Sequence, residues 1–347
     1  MARRLLWASL VLAPVTIVAN YAFHLGDVPL FVLAAVALIP LAWLIGEATE
    51  HVGEHTGPAV GGFLNASFGN APELIIAIVA INDGLPEVVR GSLTGSVISN
   101  LLLVLGVAMI AGGNDRERLD RGSLFFQLLL VAAAVLAFLV PSVPGFHGNP
   151  ERHSLAVATI PVGIFLLVLY VVLTTKYLRR QSAAFMEEAA LGSWSLRNSL
   201  AALAAATVAT AFVSETLVHT LKAFAESTGL HTFFISTVIV AIVGNAAEHG
   251  GAVVIALRGK MRLVTEIAVS SSAQVALFVV PAIALVSFAI KPALPLAFRP
   301  IEIVGMGASA LLVLFVVRDG RSRRWEGWLL VAAYAAFVVW VGFTPDR

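Results

Sequence analysis

A chain of 347 residues in which 59% are hydrophobic and 12% charged, with mean hydropathy +0.92, lies above the roughly 45–50% apolar share of a soluble domain and reads as an all-α polytopic membrane protein. A formal net charge of +1 leaves no electrostatic footprint for nucleic acid, and the absence of cysteine excludes disulfides, thiol catalysis and thiolate metal sites.

Runs of about 20 apolar residues mark membrane spans. In chain order eleven are predicted, near residues 5–23, 28–48, 58–82, 88–111, 123–142, 154–176, 196–220, 232–257, 263–290, 299–317 and 326–343. The first follows Arg3 and Arg4 but precedes no small-x-small cleavage site, so it is expected to remain as an N-terminal helix rather than leave as a signal peptide. With the N-terminus cytoplasmic, alternate loops collect sixteen of the 22 lysines and arginines, among them Arg116, Arg118, Arg179, Arg180, Arg258, Arg262, Arg321 and Arg323. This positive-inside asymmetry sets the orientation and sends the C-terminus to the opposite side.

The third span carries Gly69-Asn70-Ala71-Pro72-Glu73, and the eighth carries Gly244-Asn245-Ala246-Ala247-Glu248. An ionised acid at a helix centre costs about 2.5–3.5 kcal/mol on insertion scales, so two at matched positions point to a ligand, and a cation is the ligand they would take. The repeat reaches further. Glu50 is matched by Glu226 in the preceding segments, and the offset of 175 residues from Glu73 to Glu248 puts Ser96 on Ser271 and Ser99 on Gln274. Five spans separate the copies, and an odd number makes them cross the membrane in opposite directions. The chain therefore divides into an N-terminal transmembrane helix (1–27), a first five-helix repeat (28–176), a cytoplasmic linker (177–195) and a second, inverted five-helix repeat (196–347). Such architectures hold their substrate at the midplane.

The residues around each glutamate suit an ion. Gly69 and Gly244 loosen the helix and Pro72 removes a backbone donor, which leaves carbonyl oxygens for a hard cation. Asn70 and Asn245 add amide oxygens three residues before each glutamate. Ser96, Ser99 and Asn100, with Ser271, Ser272 and Gln274, supply a second polar layer, a role that competes with ordinary hydrogen bonding between membrane helices. Glu50 and Glu226, near span ends like Glu47 and Glu54, are either cation-attracting mouths or solvated loop acids. His249 offers a proton relay on one side only, because Leu74 holds the matching position. Glu215, Glu266 and Glu302 also fall in apolar segments, and Gly62, Gly250 and Gly251 are read as packing positions.

Gly-Asn-Ala-Pro-Glu-Leu-Ile-Ile-Ala at 69–77 and Gly-Asn-Ala-Ala-Glu-His at 244–249 resemble the two signature repeats of calcium/proton antiporters, within the wider cation/calcium exchanger superfamily. The likeness includes Asn65-Ala66-Ser67-Phe68, Ser96-Val97-Ile98-Ser99-Asn100 and Gln274-Val275-Ala276-Leu277-Phe278. It implies a ten-helix core in which Glu73 and Glu248 bind the cation and the transported protons alternately, with no cofactor. Elementary electrostatics agrees: two carboxylates facing each other in a low dielectric cannot both stay charged, so protons or a divalent ion must neutralise them. Calcium is the expected cargo, with sodium or potassium exchanged for protons as the alternative. The expected surroundings are a lipid bilayer, on short loops and no long targeting extension a bacterial inner membrane.

Two rival readings come from other classes. His51-Val52-Gly53-Glu54-His55 fits the His-x-x-Glu-His spacing of inverted zinc peptidases and would make a membrane metallohydrolase. A cation channel could also select with matched glutamates, although an inverted repeat within one chain is the habit of transporters.

Overall fold

In the computed structural model of the chain, residues 2–23, 25–56, 64, 67–113, 117–181, 194–290 and 292–346 are described, and among them every regular element is a helix. Two short helices, α1 (Ala2–Ser9) and α2 (Leu12–Tyr21), form the first candidate span and lead into α3 (Asp27–Thr56). A twelve-residue apolar helix, α4 (Ala71–Asn82), precedes α5 (Pro86–Gly112), α6 (Arg121–Gly145) and α7 (His153–Gln181). The second half runs α8 (Leu196–Thr228), α9 (Thr232–Gly244), α10 (Ala246–Leu257), α11 (Met261–Ile290), α12 (Pro300–Val317) and α13 (Arg324–Gly342).

Nine of these are long and apolar enough to cross a membrane, and α9 with α10, bent by 57° at their junction, makes a tenth among the described residues. The eleven predicted spans are therefore not all recovered. Of the third, at 58–82, the longest described stretch is α4, twelve residues and short of a span, because residues 57–63, 65 and 66 lie outside the described set, and with them Gly62, Asn65 and Ala66. Arg116 and most of the predicted linker, including Glu187 and Glu188, lie outside it as well. Within the linker, α7 continues to Gln181.

Local sequence explains the ends. The Ser195 hydroxyl accepts from Asn198 N at 3.3 Å and caps α8, and Gly229 ends that helix at φ +71°, a conformation that glycine adopts without a Cβ penalty. The 30-residue α3 and 33-residue α8 lie against each other over a longer contact than any other two helices, with Phe31 stacked on Phe224 at 4.2 Å between ring centroids. Helix α5 crosses α9 at Gly91 and Gly95. A Cβ at Gly95 would run into the Thr237 carbonyl oxygen, so the two backbones approach this closely only because glycine stands there.

Two interruptions recur in both halves at the 175-residue offset. Asn70 (φ −101°, ψ 16°) precedes α4 and Asn245 (φ −98°, ψ 6°) separates α9 from α10. Helix α5 widens to a π-helical turn at Ser99–Val104 and α11 at Val275–Val279, and α9 has a third such turn at Ile235–Val240. Turns of this kind collect at functional sites, because an added residue re-aims the side chains around it.

Between α11 and α12 the chain is irregular and buried over residues 294–299. Backbone groups at such a depth need partners within the protein. Ser287 accepts from Leu294 N at 2.7 Å, Thr159 accepts from Leu296 N at 2.9 Å, Ser142 accepts from Phe298 N at 3.0 Å, and Arg90 donates to the Pro295 carbonyl at 3.3 Å.

Candidate functional site

Each signature phrase folds as a break followed by the first turn of a new helix. Asn70 and Asn245 sit at the breaks, in the N-cap positions of α4 and α10 with no capping bond from their side chains, rather than in an unbroken helix with the glutamates. Glu73 and Glu248 occupy those first turns, where unpaired backbone N–H groups make the local potential favourable to negative charge by about 0.3–1 kcal/mol. Half-helices meeting at membrane depth are a recurrent way of building ion sites in transporters.

Glu73 is buried, 8% exposed, and its Oε2 has no hydrogen-bond partner among the described residues. It faces a small cavity lined by Ile76 of α4, Ser92 and Ser96 of α5, and Val240, Ala241 and Gly244 of α9. Gly244 keeps this wall open: a Cβ there would stand 3.7 Å from Glu73 Cγ, in van der Waals contact with the carboxylate arm. Glu248 is part-buried, and its Oε2 accepts from the Ser271 hydroxyl at 2.6 Å.

The second polar layer joins the two halves. Asn70 Nδ2 donates to Gln274 Oε1 at 3.2 Å, Asn100 Nδ2 donates to Ser271 Oγ at 3.3 Å and Asn245 Oδ1 at 3.4 Å, and Asn245 Nδ2 donates to Ser96 Oγ. Ser99 donates to the Ser96 carbonyl at 3.2 Å, and Ser272 to the Val97 carbonyl at 3.2 Å. Bonds thus run from Glu248 through Ser271, Asn100 and Asn245 to Ser96, with Ser99 at the edge, while Asn70 bonds Gln274 across the halves and Glu73 shares its cavity with Ser96 and Gly244. Gly69 lies in the turn before Asn70. Together these groups offer carboxylate, amide and hydroxyl oxygens, the ligand chemistry of a hard cation.

Other predicted residues lie elsewhere. Glu50 and Glu226 are exposed near the C-terminal ends of α3 and α8, helices that begin at opposite faces of the bundle under the alternating reading, and among the described residues no hydrogen bond or ion pair joins either to Glu73 or Glu248. His249 is part-buried, and its Nε2 has no hydrogen-bond partner among the described residues. The histidines of the zinc-peptidase spacing are otherwise engaged. His51 bonds Glu54 at 3.1 Å and stacks on Trp194 at 5.0 Å, while His55 Nε2 lies 2.7 Å from the Trp194 carbonyl. No group of three His, Asp or Glu side chains placed to hold a metal occurs among the described residues.

Sequence reasoning passed over Ser92, which shares the Glu73 cavity, because the repeat puts Ile267 at the matching position. Its spacing of four residues from Ser96 was the available signal. It also passed over Arg90 and Arg299, which are 3% and 5% exposed. Arg90 pairs with Glu151 and Arg299 with Glu87, and Arg299 also donates to the Pro345 carbonyl at 2.6 Å and covers the Phe233 ring at 4.0 Å. Glu302 is buried beside them, accepting from Thr94 at 3.2 Å and from Arg299 N.

Comparison with known proteins gives a consistent neighbourhood. The model of the sodium/calcium exchanger protein family matches residues 27–176 and again 198–343. The chain is 38% identical over 334 residues to the Ca(2+)/H(+) antiporter ChaA of Bacillus subtilis, covering 94% of this chain and 95% of that one. It is 35% identical to the Ca(2+)/H(+) antiporter of Aphanothece halophytica, covering 97% and 95%. Its fold is similar to the solved structure of native YfkE, with a TM-score of 0.84, 34% identity and coverage of 98% of this chain and 100% of that one.

Proposed function

The chain belongs to the sodium/calcium exchanger protein family, and from that membership we propose that it exchanges Ca2+ for H+ across its membrane at a midplane site built on Glu73 and Glu248. It is a transporter and not an enzyme, as are the antiporters it resembles along nearly its whole length. The observation that carries the site is the buried Glu73 carboxylate, which has an oxygen without a partner and faces a cavity shared with Ser92, Ser96 and Gly244. A buried carboxylate is tolerated only when paired, so this one takes either a proton or a cation. Glu248 meets the same requirement with one hydroxyl bond from Ser271.

Exchange follows from that exclusivity. Calcium bound by the two carboxylates leaves no charge for protons to neutralise, and protons on both leave no charge to hold calcium, so each cargo displaces the other. The two family matches, the paired breaks at Asn70 and Asn245 and the paired π-turns in α5 and α11 fit two inverted five-helix repeats, 28–176 and 196–347, after an N-terminal helix. Alternating access would then move α3 and α8, the most extensively packed pair, against the helices that hold the glutamates. The arginine and lysine asymmetry supports a cytoplasmic N-terminus, and the bacterial relatives support a bacterial inner membrane.

Proton flux in vesicles with an acidic interior tests the proposal. Calcium added outside should alkalinise the interior of vesicles holding the wild type, and Glu73→Gln or Glu248→Gln should abolish the response while leaving the protein folded. A response chiefly to sodium or potassium would keep the mechanism and change the cargo. Full exchange by either mutant would sink the glutamate pair.

A further inference from the structure

Helices α6 and α12 lie side by side: a Cβ at Gly307 would stand 3.8 Å from Val135 Cγ1. Their neighbouring ends meet as well, where Leu119 N donates to the Gly320 carbonyl at 3.0 Å. Each helix bears an exposed apolar stripe headed by an exposed arginine at that end: Arg121, Phe125 and Leu129 along α6, and Arg318, Phe315 and Leu311 along α12. Spacings of three and four residues keep each trio on one helix face. Gly320, at φ +71°, has no Cβ, and one there would stand 2.9 Å from Arg121 Cδ, so the Arg121 stem lies across the loop that follows Arg318. The Arg318 guanidinium covers the Phe315 ring at 4.1 Å.

The carboxylates beside these arginines are engaged elsewhere. Asp120 pairs with Arg262 at 3.1 Å and accepts from Ser123 N at 3.2 Å. Asp319 pairs with Arg323 at 2.7 Å and accepts from Arg321 N at 3.0 Å, and Glu326 pairs with Arg323 at 3.1 Å. Among the described residues no ion pair joins Arg121 or Arg318 to an acid, so two guanidinium groups head adjoining lipid-facing stripes with no anion from the chain between them. Positive charge at this face orients the chain in the membrane, but orientation does not require that arrangement. We propose that the α6–α12 seam is a docking site for one anionic phospholipid, with its phosphate headgroup between Arg121 and Arg318 and its acyl chains along the two stripes. The guanidinium fork matches phosphate oxygens. From Arg121 to Leu129 the helix rises about 12 Å, close to the depth of one leaflet of a ~30 Å hydrocarbon core. A headgroup held by both arginines ties the start of α6 to the end of α12.

Native mass spectrometry of the full chain in detergent, with phosphatidylglycerol or phosphatidylcholine of the same acyl chains added, tests the site. Each arginine at an anionic surface favours binding about fivefold, so the wild type should retain phosphatidylglycerol at least about tenfold better than phosphatidylcholine. The double variant Arg121→Gln/Arg318→Gln should bring the two lipids within about twofold of each other. Arg4→Gln/Arg197→Gln removes the same charge from exposed positions outside the seam and should keep the preference, with circular dichroism showing both variants to be helical. Inorganic phosphate should not displace phosphatidylglycerol, because it has no chains to lay on the stripes, and displacement would overturn a lipid as the occupant. Equal retention of the two lipids by the wild type, or equal loss of preference in both double variants, would overturn the site. Oligomers that dissociate only in the seam variant, with lipid retention unchanged, would overturn it too and assign the seam to a second copy of the chain.

Discussion

Ser271 and Ser96 stand at matched positions, yet they serve different partners. The Ser271 hydroxyl donates to Glu248, while the Ser96 hydroxyl accepts from the Asn245 amide. Loss of a hydrogen bond to a charged group costs about 1.5–3 kcal/mol, so Ser271→Ala should lower calcium/proton exchange roughly tenfold or more, with the melting temperature of the purified protein little changed. Ser96→Ala removes an acceptor from an amide that still bonds the Ala241 carbonyl at 2.9 Å, and initial flux rates should show the smaller loss. Matched glutamates, asparagines and serines were legible from the repeat alone. Ser92, Arg90 and Arg299 were not, because each is defined by what it faces across the bundle and none has an equivalent at the offset position.

At the scale of elements, the breaks and crossings decide where those side chains go. Gly95 lets α5 press against the Thr237 backbone, and that contact fixes the distance between Ser96 and the Val240–Gly244 wall of the Glu73 cavity. Gly95→Val forces the helices apart, and overpacking of this kind costs about 1–3 kcal/mol. The expected result is a lower melting temperature in detergent together with weakened exchange, whereas Gly250→Val, with nothing within 4 Å of its Cβ position, should melt like the wild type. Hydropathy located the long helices well. It did not locate the π-turns of α5, α9 and α11 or the 57° bend between α9 and α10, because hydropathy averages over a window and a one-residue change of hydrogen-bond register leaves the average untouched.

Across the whole molecule, Arg299 links parts that are distant in sequence: Glu87 at the start of α5, Phe233 at the start of α9 and Pro345 in the C-terminal tail. Removing one partner of a largely buried pair strands the other, so Arg299→Gln should destabilise the protein by about 3 kcal/mol, read as a drop in thermal midpoint. Arg299→Lys should recover only part of this, since an ammonium cannot reproduce the fork that reaches both a carboxylate and a carbonyl. Composition and span periodicity by themselves determined an all-α membrane protein, and the repeated phrase singled out the two acids on which the proposed site rests, because apolar length and an acid within it are costs the chain states locally. The orphaned Glu73 oxygen, the Ser92 and Gly244 lining of its cavity, and the bonds that tie Asn245 to Ser96 and Asn100 were decided only by tertiary structure, because each depends on which helix faces stand opposite one another after packing.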